Sequence, residues 1–376
     1  MADENLIIPL RSTHLIRRHR LRSLLAAALI ALGGCAQGMP PAQSRPMLDA
    51  LFAPPTAAEI AAVEADWAGR DTGAHGYRVE YTKRDGRTGR TMVVSHTVGG
   101  IRHYGAVRVP DGAEGRRLPV LVISHGGESG ATAYYFFHSG PVARGWVQVI
   151  PSFRSEPIRL TPFRRYKSEG LPSPWDRDVD DAMALLSGVL ANVPEADSGR
   201  VAVVGRSRGG GVALLMAARD RRVKAVADLY GPTDFFLPQV RGLAKRAVGS
   251  SVPRLPGAGY LADSVLFALR DGRTTVARAR QELLRRSVVY FADRLPAVQA
   301  HHGSDDRKVH VAHADRLDAV LRAQGRDSTQ WKYYRYRDGG HGVRHLRGYR
   351  RRVEAFLQRV AERGAPPSTT APTPTR

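Results

Sequence analysis

The sequence predicts an α/β fold: a mostly parallel, eight-stranded sheet with helices on both faces and one helical insertion. Three observations lead there. Short, continuously apolar runs recur along the chain, as expected of strands buried on both faces. Helical patterns separate several of these runs and supply the crossovers that a parallel sheet requires. No period of 20–50 residues is present, which excludes a propeller or a solenoid. With 376 residues, 43% of them hydrophobic, the chain can bury one large core without disulfide staples.

The elements follow in order. Residues 1–34 read as a lipoprotein signal peptide. "RRHRLRSLLAAALIALGGC" supplies a basic n-region, the apolar stretch Leu24–Leu32 and the small residues Gly33 and Gly34 before Cys35. The apolar stretch is about half what a membrane-spanning helix needs. The last four residues resemble a bacterial lipobox, so Cys35 is the expected lipidation site. The competing reading is an export signal with an incidental cysteine. Residues 35–70 are a tether and short helix: "AQGMPPAQSRP" is polar and proline-bearing, and Thr56 and Glu59 are spaced as a capping box. The main domain is 71–362, and 363–376, "RGAPPSTTAPTPTR", is a disordered tail.

Within 71–362, "YRVEYTKR" and "RHYGAVRVP" read as an antiparallel start. "LPVLVISHGG", "GWVQVIPSF", "VAVVG", "VKAVADLYG", "LPAVQAHHG" and "QWKYYRYRD" follow as further strands. "DVDDAMALLSGVLANV", "GVALLMAARD" and "HADRLDAVLRAQG" carry helical spacing. Residues 235–293 are helical, basic and too long for an ordinary connection. They read as an insertion over the carboxyl ends of the strands, either a lid or a pair of packing helices.

The net charge of +22 invites a nucleic-acid reading. Only six of the 57 basic residues are lysine, and the 51 arginines are scattered rather than gathered in a stripe with aromatics, so no nucleic-acid partner is expected. The same charge suits anionic lipid or polysaccharide. Cys35 is the single cysteine, which excludes an internal disulfide, a cysteine-based zinc site and a thiol nucleophile in the folded domain.

The chemistry centres on Ser207. Val201–Val204 is a strand, Gly205-Arg206-Ser207-Arg208-Gly209 a tight turn, and Gly211 onward a helix. A G-x-S-x-G turn between strand and helix lifts the hydroxyl above the sheet, and the flanking glycines remove side chains that would collide across the bend. A serine hydroxyl needs a base to take its proton and an acid to orient the base. His341, in the glycine loop 339–342, is the expected base. Asp305 and Asp306, after "LPAVQAHHG", compete for the acid role. His310 and His313 beside these carboxylates raise a metal site as an alternative, but their spacing matches no zinc pattern, so no metal is expected. The N–H groups of Arg208 and of Gly127, in "HGGE", are the expected oxyanion donors. Arg206 and Arg208 place two guanidinium groups beside the serine. Either they select substrates bearing a carboxylate, for which Arg206 is the named candidate, or they pair with acids such as Asp178 or Asp181.

These segments resemble the α/β-hydrolases, and within them the prolyl oligopeptidase and dienelactone hydrolase-like branch. The resemblance spans 77–359 and rests on "HGG" at 125–127, "GRSRGG" at 205–210, H-G-x-x-D-x-x-V at 302–309 and "GGHG" at 339–342. "YGPTDFF" and "PWDRDVDDA" also look like this branch. The resemblance assigns Asp306 as the triad acid and implies a serine hydrolase, with no cofactor, acting on a small-molecule ester or short peptide. Three features depart from the pattern. No segment N-terminal to the domain is long enough for the oligopeptidase propeller, Arg208 stands where many of the peptidases have tyrosine, and Ser207 replaces the cysteine of dienelactone hydrolases. With an ester the less demanding leaving group, an esterase is expected ahead of a prolyl oligopeptidase-type peptidase. A non-catalytic binding lipoprotein of the same fold is the rival class, and the intact serine, acid, histidine and oxyanion segments argue against it. The expected location is the bacterial cell envelope, periplasmic side, lipid-anchored at Cys35.

Overall fold

The computed structural model describes residues 41–85, 89–161, 164–249 and 251–363. Cys35, the signal segment and the tail beyond 363 lie outside these residues. The chain begins with helices α1 (Pro41–Leu51) and α2 (Ala57–Ala68). Part of the expected tether is therefore helical from Pro41. Pro46 removes a hydrogen-bond donor inside α1, and burial of Leu48 and Leu51 offsets that loss. The Thr56–Glu59 capping box opens α2: the Glu59 N–H donates to Thr56 Oγ1 (3.3 Å), and the Thr56 N–H donates to Glu59 Oε2 (2.8 Å).

Strands β1 (His75–Asp85), β2 (Gly89–Val98), β3 (Ile101–Val109) and β4 (Leu118–Ser124) follow, then the two-residue β5 (Ala131–Thr132). Helix α3 (Gly140–Gly145) leads into β6 (Val147–Pro151), β7 (Pro157–Thr161) and β8 (Arg164–Lys167). From there helices and strands alternate: α4 (Arg177–Asn192), β9 (Ala196–Arg206), α5 (Arg208–Arg219) and β10 (Val223–Leu229). After the insertion come β11 (Ala297–Gly303), helix Ala312–Ala323, β12 (Trp331–Tyr336) and a final helix, Tyr349–Arg363.

Among the described residues the main sheet has nine strands, in the order β1-β2-β3-β6-β4-β9-β10-β11-β12. The eight expected strands thus gain one. Residues 89–98 form β2, joined to β3 through Gly99 and Gly100, both at positive φ. A Gly-Gly pair between β-rich runs is a hairpin signal, and it would have located the missing strand. Pairing is antiparallel from β1 through β3 to β6 and parallel from β6 to β12. A separate sheet joins β5, β7 and β8.

The central strands are apolar on both sides, because helices cover both. On one face Leu121, Ile123, Ala202, Val204 and Ala227 pack with Val353, Phe356 and Leu357 of the C-terminal helix. Helices α4 and α5 pack together against the strands on the opposite face.

The insertion contains helices α6 (Pro238–Gly249), α7 (Ala258–Leu261) and α8 (Ala268–Arg270), with a π-helical stretch, Ala262–Phe267, between the last two; α9 (Val276–Leu284) follows. It is pinned to the N-terminal helices. The Arg280 guanidinium donates to the carbonyls of Ala50, Leu51, Ala53 and Pro54 and to the Glu59 carboxylate. It thereby satisfies carbonyls left open at and beyond the end of α1. Trp67 of α2 packs against Phe291, ring centroids 4.5 Å apart.

Candidate active site

Strand β9 carries the chain to the top of the sheet, where it must reverse into α5 within a few residues. Ser207 makes the turn at φ 55° and ψ −126°, in the left-handed half of the map that side chains disfavour. Its N–H donates to the Leu229 carbonyl (2.8 Å), which anchors the turn to β10. A methyl group on Gly205 would fall well inside the backbone of Gly209, and one on Gly209 would strike the Ser124 carbonyl. The steric demand placed on the two glycines is therefore physical: β9, α5 and the end of β4 meet with no room for side chains.

The structure brings Ser207, His341 and Asp306 together. The Ser207 hydroxyl lies 3.0 Å from His341 Nε2, and His341 Nδ1 lies 2.8 Å from Asp306 Oδ2. A carboxylate can only accept, so Nδ1 carries the proton and Nε2 presents a lone pair to the hydroxyl. Asp306 Oδ1 accepts the N–H groups of Lys308 (2.9 Å) and Val309 (3.0 Å). Burial opposes ionisation of Asp306. Hydrogen bonds from His302, His341 and the backbone outweigh it and hold the pKa below the usual carboxylate range. Asp305 is exposed and its carboxylate lies 3.8 Å from Arg307, away from His341. His310 and His313 are engaged elsewhere: His310 Nδ1 accepts the Ala312 N–H, and His313 Nδ1 accepts those of Thr233 and Asp234.

Arg208 divides its roles. Its side chain is buried and never reaches the cavity as a free cation. Nε and Nη2 form two 2.8 Å bonds to Asp178, while Nη1 binds the Gly127 carbonyl (3.0 Å) and Glu156. Pairing with Asp178 is one of the two outcomes the sequence left open; Asp181 instead binds Arg154. Burial pushes the Glu156 carboxyl up, opposed by Arg208. Arg206 differs. Its guanidinium stacks 4.6 Å from the Tyr135 ring centroid, lines the cavity above Ser207 and meets no carboxylate among the described residues. The N–H groups of Arg208 and Gly127 likewise have no partner among the described residues. Gly127 sits at φ 75° on the cavity wall, and its neighbour Gly126 makes the close approach, where a Cβ would lie 3.2 Å from that of Ser207.

Several contributors escaped sequence reasoning. His302 Nε2 donates to the Val309 carbonyl (2.8 Å) and lies 3.4 Å from Asp306, fastening the acid's loop. Tyr230, at φ 49°, meets the His341 ring edge-on with centroids 4.6 Å apart. Asp228, behind the elbow, is fully buried. Its Oδ1 accepts the Gly231 N–H (2.9 Å), and burial raises its pKa to about 6. All three lie in segments the sequence marked, "YGPTDFF", "VKAVADLYG" and the aspartate loop. Their roles depend on contacts across the sheet that spacing does not encode.

A cavity of about 380 Å³ opens over Ser207 and His341. Its walls come from the glycine loop after β4, from Leu51 and Phe52 at the end of α1, and from the insertion. The N–H of Gly257, in the insertion, binds the Glu128 carboxylate of the "HGGE" loop.

The chain has the α/β-hydrolase fold, with a Ser-His-Asp arrangement at its nucleophile elbow. Comparisons agree. The family model for acetyl xylan esterase (AXE1) matches residues 177–237, the stretch containing α4, the elbow and β10. A curated relative, "Hydrolase LUC6" of Fusarium sp, is 32% identical over 121 residues; the match covers 32% of this chain and spans about 28% of that relative's length. Acetyl xylan esterase 1 from Thermoanaerobacterium sp. JW/SL YS485 superposes with a TM-score of 0.57 at 19% identity, covering 86% of this chain and 99% of that one. The acylaminoacyl peptidase of Pyrococcus horikoshii gives 0.51 at 16% identity, over 76% and 49% of the two chains.

Proposed function

We propose that the protein is a serine hydrolase that cleaves carboxylic esters through an acyl-enzyme. The observation that carries this reading is the unbroken chain of hydrogen bonds from Ser207 through His341 to Asp306, on an elbow that presents the hydroxyl to a cavity. His341 takes the hydroxyl proton as Ser207 Oγ bonds to the substrate carbonyl carbon. Asp306, ionised, stabilises the resulting imidazolium. The oxyanion forms facing the N–H groups of Arg208 and Gly127, which have no partner among the described residues. His341 then protonates the departing alkoxide, and a water molecule repeats the sequence to release the acid and restore Ser207. The acetyl xylan esterase family match supports an ester over a peptide.

Fluorophosphonate labelling tests the reading. The wild-type chain should label covalently, and Ser207→Ala should not; equal labelling of both overturns it. We propose also that Arg206 binds a carboxylate carried by the substrate. Arg206→Gln should then slow anionic esters selectively, and equal losses on neutral and anionic esters would sink the idea. Export and lipid anchoring at Cys35 are proposed from the basic and apolar segments preceding it. Detergent-phase partitioning that survives Cys35→Ser contradicts the anchor. No helix among the described residues is long and apolar enough to cross a membrane.

A further inference from the structure

We infer that the acyl group this enzyme transfers to Ser207 is an apolar chain of several carbons, held against the insertion, and not an acetyl group. The inference rests on the esterase reading above and names its substrate class.

The composition of the cavity wall carries the argument. The insertion is strongly basic, with Arg241, Lys245, Arg246, Arg254 and Arg270 among its residues. Yet every residue it places on the cavity is apolar, from Leu243 and Ala247 on α6, through Ala262 and Leu266 on the π-helical stretch, to Leu283 on α9. Phe52, after α1, continues the same surface. The charged side chains on the wall, Arg206 and Lys308, lie beside Ser207 and Asp306, and none comes from the insertion, while the Arg208 guanidinium is taken up by Asp178 and Glu156. The cavity is thus polar only beside the serine and apolar beyond it.

This division decides between ligands. A sugar ring packed against the insertion would bury hydroxyl groups with no side-chain partner, each at the cost of its lost hydrogen bonds to water. A hydrocarbon chain loses nothing there and gains burial. Size points the same way. A cavity of about 380 Å³ is far larger than an acetyl group needs.

The acyl side, rather than the alcohol, is where such contacts act on the whole reaction. The acyl group stays bonded to Ser207 through both half-reactions, so apolar contacts to it stabilise both transition states. The alcohol has to leave for solvent after the first.

Nitrophenyl esters from acetate to decanoate, assayed below their solubility limits, test the inference. Burying each added methylene should raise kcat/KM by about fourfold, giving on the order of 100-fold or more between acetate and hexanoate. Ala247→Phe and Ala262→Phe, which fill the cavity from two different elements, should each lower the hexanoate-to-acetate ratio at least tenfold. A general loss of folded enzyme would not move that ratio. Rates that are flat or falling with acyl length overturn the inference, as does a chain-length preference found only when the alcohol of an acetate ester is varied. Both outcomes leave Ser207-dependent ester cleavage standing. A failure of the esterase reading looks different: no ester of any length is turned over.

Discussion

Arg208→Met removes the one cation shared by Asp178 and Glu156 while keeping much of the side-chain volume. In the wild type that guanidinium is buried, makes paired bonds to Asp178 and reaches Glu156 and the Gly127 carbonyl. The substitution leaves two carboxylates buried without their counter-charge, a loss of about 3–5 kcal/mol. At roughly 2–3 °C per kcal/mol for a domain of this size, the thermal midpoint should fall by about 6–15 °C. The loss should also depend on pH. Burial already holds the Glu156 pKa above its ordinary 4.5, and Arg208 opposes that shift. A carboxyl raised in the folded state contributes stability that is complete below its unfolded pKa and lost as pH rises through the folded value. Without Arg208 the folded value climbs further, so the deficit should be smaller at pH 5 than at pH 8. Denaturant unfolding of both proteins at the two pH values measures this. Because Arg208 also braces the Gly127 loop, activity should fall on neutral and anionic esters alike. A variant as stable as wild type that loses only anionic substrates would refute the structural role.

Three further outcomes are expected. Asp306→Asn should lower kcat by about 10³–10⁴ with little change in KM, because the amide N–H turned toward Nδ1 forces the His341 proton onto Nε2, where it blocks proton abstraction; a loss under tenfold in steady-state kinetics contradicts this. Asp228→Asn should remove a pH dependence. With its pKa raised from 3.8 to about 6, the wild-type carboxyl contributes stability that is complete below about pH 3.8 and lost as pH rises through about 6. Relative to wild type the variant should gain about 2–2.5 kcal/mol between pH 4 and pH 7.5, read from unfolding at the two pH values, and a constant difference would count against it. Gly205→Ala should destabilise by more than about 4 kcal/mol, because the added methyl meets Gly209 backbone that has nowhere to move. A thermal midpoint within a few degrees of wild type would refute it.

The parts of this molecule governed by short-range rules were legible in the sequence. Gly205 and Gly209 announce the elbow because backbone packing tolerates nothing larger, and β9, which delivers Ser207, reads as a continuous apolar run because both its faces are covered. Strand β2 is different. Its buried run, Met92 to His96, ends in the polar Ser95 and His96 and so does not read as an apolar strand, and the Gly99-Gly100 turn is what declares it. The cavity could not be read at all. Phe52 and Leu283 are more than 200 positions apart in sequence, and nothing local marks a leucine that faces a cavity from one that faces a core. The residues alone left Asp305 and Asp306 open and the resemblance chose Asp306; the register of the loop gives the physical reason, pointing one carboxylate at His341 and the other at solvent.

The Arg280 clasp ties together two stretches that a gene encodes far apart. Four carbonyls and a carboxylate around the end of α1 converge on one guanidinium of α9. Each stretch supplies part of the same apolar wall, with Leu51 and Phe52 on one side and Leu283 on the other. The two are therefore a single unit of inheritance. A recombination that exchanged 235–293 between relatives without its matching 41–59 would separate the guanidinium from its carbonyls and leave half a binding wall behind. An exchange that keeps the wall whole would have to carry both together, while the serine, histidine and aspartate, which lie in neither, stay where they are.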